Sequence, residues 1–574
     1  MATLARVRVG AADLLKDGEM KEVAFPSDDS ETKVLLSKIK GKYYANSSKC
    51  THYGAPLAKG VLTEEGRLVC PWHGACFNVC SNGDIEDAPG LNSLQSFKVE
   101  TDGSSLYVYA DPETVSQTRQ PPAPSVEIHS TKGADHSEVL IIGGGPGAAH
   151  AIEGLREEGF AGKITVVSKE GHLPIDRTKI SKALMADAGK LALRGKEFYD
   201  KLKVDFLLDT EATALDYSFS TVTLSSGKKL TYDNVILATG AEPTRLPLDG
   251  ANLGNVFTVR GVKDASAINE AVGAPESDDQ KKNVVTVGSS FIGMEVALAL
   301  ADKAKVQVVG MDNVPFEKIL GKEVGSGIRK FHESKGTKFL LPVELSHFSP
   351  SSTDSSKVGA VVLKDGTSLP ADVVILGTGV APSSQLLKDA GLELEKNKTV
   401  RVDEVLEVEQ LKGKAKGRVF ALGDIATFKT PEGLNYVQHW NVASNHGRAI
   451  AHHIATGKRE PFDKVAVFWS AQGQQLRYAG TSRASKWDDI LIEGDAGELK
   501  FVAYYFEGDK VVAAASMQKD PIVARVSELF KLGKMLSKQD LQAGKARLPF
   551  LPFCLRFFPD PICPPQSPLD VPLA

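Results

Sequence analysis

Cysteine is scarce in this sequence and unevenly placed. The 574 residues contain six cysteines, and none of them falls between residues 81 and 553. Six are too few for a secreted disulfide scaffold, and the empty central stretch excludes a catalytic dithiol there. Thiol chemistry is therefore confined to the two ends of the chain, with four cysteines at positions 50–80 and two, Cys554 and Cys563, near the end.

A surplus of positive charge and a long apolar run are also missing. Lys plus Arg number 68 against 72 Asp plus Glu, a net charge of −4, which argues against a nucleic-acid partner. No run approaches about 18 consecutive apolar residues, so we expect no membrane span. The first twenty residues lack an apolar stretch and predict no secretory signal. We expect a cytoplasmic protein, and Arg6 and Arg8 leave a mitochondrial location as the alternative.

The composition and the residue pattern of the sequence change along the chain. The length predicts several domains, at roughly 100–200 residues each. Residues 1–110 read as short strands broken by turns. Residues 111–137 hold four prolines and no long apolar run, which indicates a linker. From residue 138 onward, apolar strands alternate with helical stretches, as in parallel α/β sheets. The stretch 547–574 holds eight prolines and predicts no regular element.

Two short motifs combine cysteine with histidine. CTHYGAPL (50–57) and CPWHGACF (70–77) supply Cys50, His52, Cys70 and His73. One zinc ion is an open alternative, but zinc fingers usually pair Cys with Cys and His with His along the chain. Here each motif supplies one of each, which suits a two-iron cluster with the thiolates on one iron and the imidazoles on the other. The pattern resembles the Rieske [2Fe–2S] family, including the flanking Gly54, Gly74 and Pro71.

The resemblance also indicates the range of the reduction potential of this cluster. High-potential Rieske proteins have a disulfide brace between the loops and a serine after the second histidine. This chain has Ala55 and Trp72 at the brace positions and Ala75 at the serine position. Fewer hydrogen bonds to the sulfurs imply a lower potential. Cys76 and Cys80 have no ligand role in the pattern, so we interpret them as packing or surface thiols.

A first glycine-rich turn lies in VLIIGGGPGAAHAIEGLREEGF (139–160), which reads as strand, turn and helix. Gly143 allows the tight turn, Gly145 lets a pyrophosphate approach, and Ala148 stands where a third glycine is usual. The next predicted strand, 163–170, ends at Glu170, whose carboxylate suits ribose hydroxyls. Together these features predict a dinucleotide site.

A second copy of this plan occupies 284–300, with Gly288, Ser290 and Gly293. Ser290 replaces the middle glycine and weakens the motif read alone. The strand after it leads to Asp312, an acid that favours NADH and repels the 2′-phosphate of NADPH. The open alternative is that Asp312 only caps its strand.

Two nucleotide sites imply a flavin and a nicotinamide, and further segments resemble the FAD-dependent pyridine-nucleotide reductases. These are 173–184, 235–243, 373–382 and 417–426. The resemblance implies that Lys182 and Glu295 form the catalytic pair near the flavin. It also implies a set of FAD- and nucleotide-binding residues, namely Arg177, Lys182, Ala238, Gly240, Gly379, Gly423, Asp424, Trp440 and Trp469. Surface ion pairs are the alternative for Arg177, Lys182 and Glu295.

A Rieske domain ahead of such a reductase resembles the apoptosis-inducing-factor-like family. The resemblance implies a multidomain fold, with an all-β Rieske domain, Rossmann-like α/β FAD and NAD(P)H domains and a small α/β C-terminal domain. The expected units are a Rieske domain at 1–110, a linker at 111–137, an FAD-binding domain at 138–255 and 385–460, an NADH-binding domain at 256–384, a C-terminal domain at 461–545 and a disordered proline-rich tail at 546–574.

The fusion itself suggests the activity of an oxidoreductase. We expect electrons to pass from NADH to FAD, then to the in-chain [2Fe–2S] cluster, and on to an unidentified one-electron acceptor. NADPH is the less favoured donor. Two alternatives remain at this point: direct reduction of a small molecule at the flavin, as in monodehydroascorbate-type reductases, and a redox-sensing or apoptosis-related signalling role. The sequence leaves the oligomeric state open.

Overall fold

The computed structural model describes residues 4–25, 32–116, 137–430, 433–480 and 487–544. The predicted linker begins with a short helix, Pro112–Ser116, and its residues 117–136 lie outside the described residues. The predicted tail at 546–574 lies outside them as well. Among the described residues, no helix combines the length and the apolar character that crossing a bilayer requires.

The N-terminal unit consists of two antiparallel sheets. The sequence alternation of 105–110 appears as a strand whose residues are in turn half-buried and buried, and Lys40 and Gly41 form the turn between two neighbouring strands with positive φ. The six-stranded sheet has the order Ala5–Ala11, Ser105–Ala110, Ser96–Asp102, Lys42–Ser47, Lys33–Ile39, Met20–Ala24. The four-stranded sheet has the order Val61–Leu62, Arg67–Val69, Cys76–Asn78, Asp84–Asp87, and a 3-10 turn at Leu57–Lys59 precedes it.

The second unit is built on a five-stranded parallel sheet. Its central strand, Glu138–Ile142, is apolar and almost wholly buried, because helices and loops cover both faces. The strand order is Val204–Leu207, Lys163–Val167, Glu138–Ile142, Asn234–Leu237, Val419–Ala421. The helices are Pro146–Glu157, Thr178–Ala183, Ala188–Leu191, Lys196–Lys201, Gln385–Asp389 and Trp440–Thr456, with 3-10 turns at Gly413–Ala415 and Gly423–Ile425. Two small sheets, Ala212–Asp216, Thr221–Leu224, Lys229–Thr231 and Val400–Arg401, Ala426–Thr430, Gly433–Asn435, complete it.

The third unit repeats this plan and interrupts the second. A two-stranded ribbon, Ala241–Pro243 paired with Val380–Pro382, joins the two units where the chain leaves and returns. The parallel sheet has the order Val256–Phe257, Val373–Leu376, Asn283–Val287, Lys305–Val309, Lys338–Leu340. The helices are Val262–Val272, Phe291–Leu300, Glu317–Leu320 and Lys322–Ser334, with a 3-10 turn at Asp278–Gln280. A three-stranded sheet of Leu345–Pro350, Val358–Leu363 and Ser368–Pro370 packs beside it.

The last described unit is an antiparallel sheet with two helices. Lys510–Met517 lies in its middle and is buried along most of its length. The strand order is Val467–Gln472, Gln474–Gly480, Lys510–Met517, Lys500–Glu507, Asp489–Asp495, and the helices are Ile522–Lys531 and Lys538–Gln542. The predicted fold class, an all-β unit followed by two Rossmann-like units and a smaller α and β unit, is therefore confirmed.

Candidate functional site

Two loops of the N-terminal unit have the same backbone design. We call residues 50–54 the first cluster loop and residues 70–74 the second cluster loop. The main-chain nitrogens of Cys50 and Cys70 donate to the carbonyl oxygens of Ala55 and Ala75, at 2.9 and 2.8 Å. The two loops therefore share a backbone turn, although the histidine follows the cysteine by two residues in the first loop and by three in the second.

The four predicted metal ligands meet as two pairs. His52 Nδ1 lies 3.0 Å from His73 Nδ1, and the buried thiol of Cys50 hydrogen-bonds with that of Cys70. No group of three or more metal-binding side chains converges on one point among the described residues. Two pairs of donors suit two metal atoms better than a single zinc ion, so the residues present fit a two-iron cluster.

The protonation states also fit metal ligands. Burial lowers the pKa of His52 to about 4. Burial, reinforced by neighbouring cationic side chains, holds the pKa of His73 well below its ordinary value. Both imidazoles are therefore neutral at physiological pH, which is the form that binds a metal. Of the other two cysteines, Cys76 is buried and Cys80 is exposed, so both are confirmed as packing and surface thiols.

The glycines of the first glycine turn allow close main-chain packing and leave space for a ligand. Gly143 has φ +116°, and a β-carbon there would lie 2.1 Å from the Ala238 carbonyl oxygen. Gly145 starts the helix Pro146–Glu157 and has open space beside its α-carbon. Ala148 is buried in that helix. An open helix N-terminus of this kind fits the pyrophosphate of FAD.

Charged groups gather beside this turn. Arg177 Nη2 donates to Glu170 Oε2, and Arg260 lies 3.6 Å from Asp424. Burial opposes ionisation of Glu170, but the Arg177 guanidinium outweighs it and leaves its pKa below the ordinary value. Burial raises the pKa of Asp424. Sequence reasoning missed Arg260, because it lies outside every motif.

The remaining predicted FAD-binding residues surround the same region. Gly240 would place a β-carbon 2.9 Å from Arg260 Nη2, and the main-chain nitrogen of Gly423 donates to His446 Nδ1 (3.2 Å). Trp440 Nε1 is buried and has no hydrogen-bond partner among the described residues. An unpaired buried donor in this position suits a bound polar group. The binding roles of all these residues stay predictions.

The structure brings the predicted catalytic pair into contact. Lys182 Nζ lies 3.2 Å from the carboxylate of Glu295, which is only 3% exposed. Ser181 Oγ and Ser470 Oγ also donate to that carboxylate, the latter at 2.6 Å. This is a shared buried network and not a surface ion pair. Its role near the flavin stays a prediction.

The second glycine turn shows why Ser290 is tolerated there. Ser290 Oγ donates to the Gly377 carbonyl oxygen (2.7 Å), a bond within the protein. A β-carbon on Gly293 would lie 2.4 Å from the Gly288 carbonyl oxygen, so helix and strand need the glycine at this crossing. Gly379 accepts a hydrogen bond from Thr244 N (2.9 Å) beside the ribbon.

Asp312 lies three residues beyond the strand Lys305–Val309. Its carboxylate pairs with Lys318 at 2.8 Å. Lys318 lies outside the motif, and the structure shows that its ammonium group reaches the acid. The interpretation that Asp312 selects NADH stays a prediction.

The cluster loops lie against the flavoprotein, with their histidines at the contact. The ring centroids of His73 and Trp469 lie 4.5 Å apart, and those of His439 and Trp469 lie 4.8 Å apart. Trp469 precedes Ser470, which binds Glu295. The sequence places Trp469 beside the flavin, and the structure places it in contact with a predicted iron ligand.

Polar contacts hold the N-terminal unit against the flavoprotein along the boundary between them. On the N-terminal side they mostly involve main-chain oxygens, so no sequence motif marks them. The contacts include Ala88 N to Asn445 Oδ1 (2.8 Å), Asn441 Nδ2 to Ala88 O (3.1 Å), Arg194 Nη2 to Leu91 O (2.6 Å), Arg448 Nη2 to Ile85 O (3.0 Å), Arg477 Nε to Trp72 O (3.0 Å), Lys464 Nζ to Gly74 O (3.3 Å) and Lys464 to Asp87 (2.8 Å).

Comparison with known families decides the classification. The family model described as pyridine nucleotide-disulphide oxidoreductase matches residues 137–447, more than half of the chain. The chain belongs to this family. Models for the Rieske [2Fe-2S] domain and the reductase C-terminal domain match residues 5–98 and 467–549 of this oxidoreductase.

Two relatives and one solved structure place the oxidoreductase more closely. It is 37% identical to apoptosis-inducing factor 3 of Homo sapiens over 534 residues, 92% of this chain and 84% of the relative. It is 30% identical to putidaredoxin reductase of Pseudomonas putida over 67% of this chain and 89% of the relative. The covalent putidaredoxin reductase–putidaredoxin complex matches with a TM-score of 0.64 and 27% identity, over 71% of this chain and 95% of that chain.

These matches confirm the resemblance stated from the sequence. The chain is a ferredoxin-reductase-like oxidoreductase fused to a Rieske domain. Its family implies FAD and a nicotinamide nucleotide, and its Rieske domain implies a [2Fe–2S] cluster. The matches do not distinguish NADH from NADPH.

Proposed function

We propose that the oxidoreductase passes electrons from NADH to FAD, from FAD to its own Rieske cluster, and from the cluster to a separate one-electron acceptor. The observation that carries this proposal is the contact between His73, a predicted iron ligand, and Trp469 of the flavoprotein, at 4.5 Å. A separate ferredoxin must diffuse to its reductase, whereas here the equivalent contact lies within one chain.

The bound groups supply the redox chemistry: FAD accepts a hydride, and the cluster accepts one electron at a time. The chain's own residues bind and orient them. Gly143, Gly145 and Asp424 would hold FAD, and the buried Lys182–Glu295 pair would lie beside it. Because Glu295 is fixed by several hydrogen bonds, it holds the Lys182 ammonium in one place.

Electrostatics on the cluster side favour electron acceptance. Arg477 is 5% exposed and forms an ion pair with Asp520 at 3.2 Å. It also donates to the Trp72 carbonyl oxygen in the second cluster loop and interacts electrostatically with the Cys70 thiol. A buried cation beside anionic sulfur stabilises the additional negative charge of the reduced cluster. We still expect a lower potential than in high-potential Rieske proteins, because Ala75 provides no hydroxyl donor.

For the electron donor we propose NADH, because Asp312 follows the second strand of the second glycine motif, where an acidic side chain favours a ribose 2′-hydroxyl over a 2′-phosphate. For the compartment we keep the cytoplasm, with the mitochondrion as the alternative. The acceptor in this proposal is a separate one-electron carrier.

Anaerobic titration of the loaded protein with NADH tests the proposal. The flavin absorption should bleach, and the electron-paramagnetic signal of a reduced Rieske cluster should appear. A bleached flavin beside a cluster that stays oxidised would refute the relay and favour direct reduction of a small molecule at the flavin. No response from either group would favour a signalling role.

A further inference from the structure

In the first cluster loop, Tyr53 binds the flavoprotein through its hydroxyl group. Tyr53 OH donates to Asp176 Oδ2 and lies 3.3 Å from Thr178 Oγ1. Asp176 is 6% exposed and is itself held in place. Its Oδ1 accepts from Thr178 N (3.1 Å) and Thr178 Oγ1 (2.6 Å), and its main-chain nitrogen donates to Leu191 O (2.7 Å). Tyr53 therefore binds an acceptor whose position the flavoprotein fixes.

The same tyrosine packs on a predicted iron ligand. Its ring stacks on the imidazole of His52 with centroids 3.8 Å apart and planes 16° apart. On the flavoprotein side, Lys179 Nζ lies 5.4 Å from the Tyr53 ring centroid. Tyr53 thus joins His52 to the segment 173–184, which also carries Arg177 and Lys182. A movement of this ring would move His52 relative to that segment.

The second cluster loop is held by different means. Its Trp72 and Gly74 carbonyl oxygens accept from Arg477 and Lys464. These bonds use main-chain acceptors and do not involve the first loop. Loss of the Tyr53 hydroxyl would therefore remove the hydrogen bond between the first loop and the flavoprotein, while the N-terminal domain stays attached elsewhere.

We propose that Tyr53 is a positioning residue for electron transfer, and that with Asp176 it holds the first cluster loop and its His52 against the segment 173–184. The proposal rests on the proposed function. In the step concerned, NADH gives a hydride to the flavin and leaves as NAD⁺. The reduced flavin then loses one electron and the oxidised cluster gains it, and the external acceptor removes that electron before the next transfer.

The test uses the full chain loaded with FAD and cluster. Tyr53→Phe removes the hydroxyl and keeps the ring that stacks on His52, and Asp176→Asn removes the charge of the acceptor. Tyr107→Phe is the matched control, since Tyr107 lies in the same domain on strand Ser105–Ala110, with its ring beside Arg6. Anaerobic stopped-flow spectra follow the flavin and the cluster separately, and hydrogen exchange follows the amides of 50–57.

A hydrogen bond to a charged acceptor changes an equilibrium by about tenfold or more. We expect Tyr53→Phe and Asp176→Asn to slow cluster reduction by about that factor and to speed amide exchange in 50–57. Flavin reduction by NADH, the cluster potential and the Tyr107→Phe control should stay unchanged. Wild-type rates of cluster reduction and of exchange in Tyr53→Phe would overturn the proposal.

Hydrogen exchange separates this proposal from the proposed function. If NADH leaves the cluster oxidised even in the wild-type chain, the relay fails. The exchange result then decides the position of the loop alone. Faster exchange in Tyr53→Phe supports the Tyr53–Asp176 contact as a loop anchor, and unchanged exchange refutes it.

Discussion

Arg194 forms a buried ion pair within the flavoprotein and also donates hydrogen bonds to the N-terminal domain. Its guanidinium binds Glu153 of the helix Pro146–Glu157 by two hydrogen bonds, at 3.1 and 2.7 Å. Arg194 Nη2, which makes the shorter of these two bonds, also donates to Leu91 O and Asn92 Oδ1, both at 2.6 Å. The side chain of Arg194 is 8% exposed and that of Glu153 is 5% exposed. Replacing Arg194 with methionine keeps the volume and leaves the Glu153 carboxylate buried without its partner.

Removal of one partner from a buried ion pair costs about 3–5 kcal/mol. Because both groups here are almost fully buried, we expect Arg194→Met to lower the free energy of unfolding by about 4 kcal/mol. Urea unfolding of the loaded chain, followed by flavin fluorescence and circular dichroism, measures this loss. The double variant Glu153→Gln/Arg194→Met leaves no charge buried, so it should regain at least half of it.

The loss of unfolding free energy in Arg194→Met should depend on pH in a defined direction. Burial raises the pKa of Glu153 even though Arg194 opposes the shift, so the pKa rises further without Arg194. A carboxyl group with a raised pKa in the folded state binds its proton more tightly there than in the unfolded chain. Stability is then highest below the unfolded pKa and falls as the pH rises through the folded pKa. The deficit of Arg194→Met should therefore grow as the pH rises above the pKa of glutamate in the unfolded chain, about 4.3.

Two results would refute this reasoning. The first is a loss of less than about 1 kcal/mol in Arg194→Met, the range of an exposed ion pair. The second is a double variant no more stable than the single one. In either case the boundary between the domains would depend on other contacts.

Three further predictions concern the cofactor sites. His73→Ala should abolish the Rieske electron-paramagnetic signal and lower the iron content while flavin content stays normal, whereas Cys80→Ala, which removes an exposed thiol, should change neither. Asp312→Asn should raise the ratio of kcat/KM for NADPH over NADH by about tenfold, because a like charge no longer opposes the 2′-phosphate; an unchanged ratio in steady-state assays would remove Asp312 from nucleotide selection. Arg477→Met should lower the cluster midpoint by about 60 mV, one tenfold step for a one-electron couple, and a redox titration showing no shift would contradict the role given to this cation.

Local patterns in the sequence predicted the parts of the structure that are local in space. Each glycine turn, with Gly143 or Gly288, lies within one strand–turn–helix unit, so neighbouring residues carry the whole signal. The cluster motifs behave in the same way, because Cys50 and His52 share one loop. This is why the fold class, the cofactor classes and the family followed from the sequence.

Contacts between distant segments left no such signal. Tyr53 and Asp176 are 123 positions apart, and Arg477 binds a main-chain oxygen of residue 72, which any residue type supplies. The role of Trp469 beside the flavin stays a prediction, and its contact with His73 is visible only in the docked domains. These pairings depend on tertiary packing, which no periodicity or motif encodes.

The most direct test of the account is the concentration dependence of cluster reduction. The loaded chain is mixed anaerobically with NADH in a stopped-flow instrument, at protein concentrations spanning about two orders of magnitude. If electrons pass from flavin to cluster within one molecule, the rate constant for cluster reduction stays the same at every concentration. A rate constant that rises in proportion to protein concentration, or a cluster that stays oxidised while the flavin bleaches, would contradict the in-chain relay.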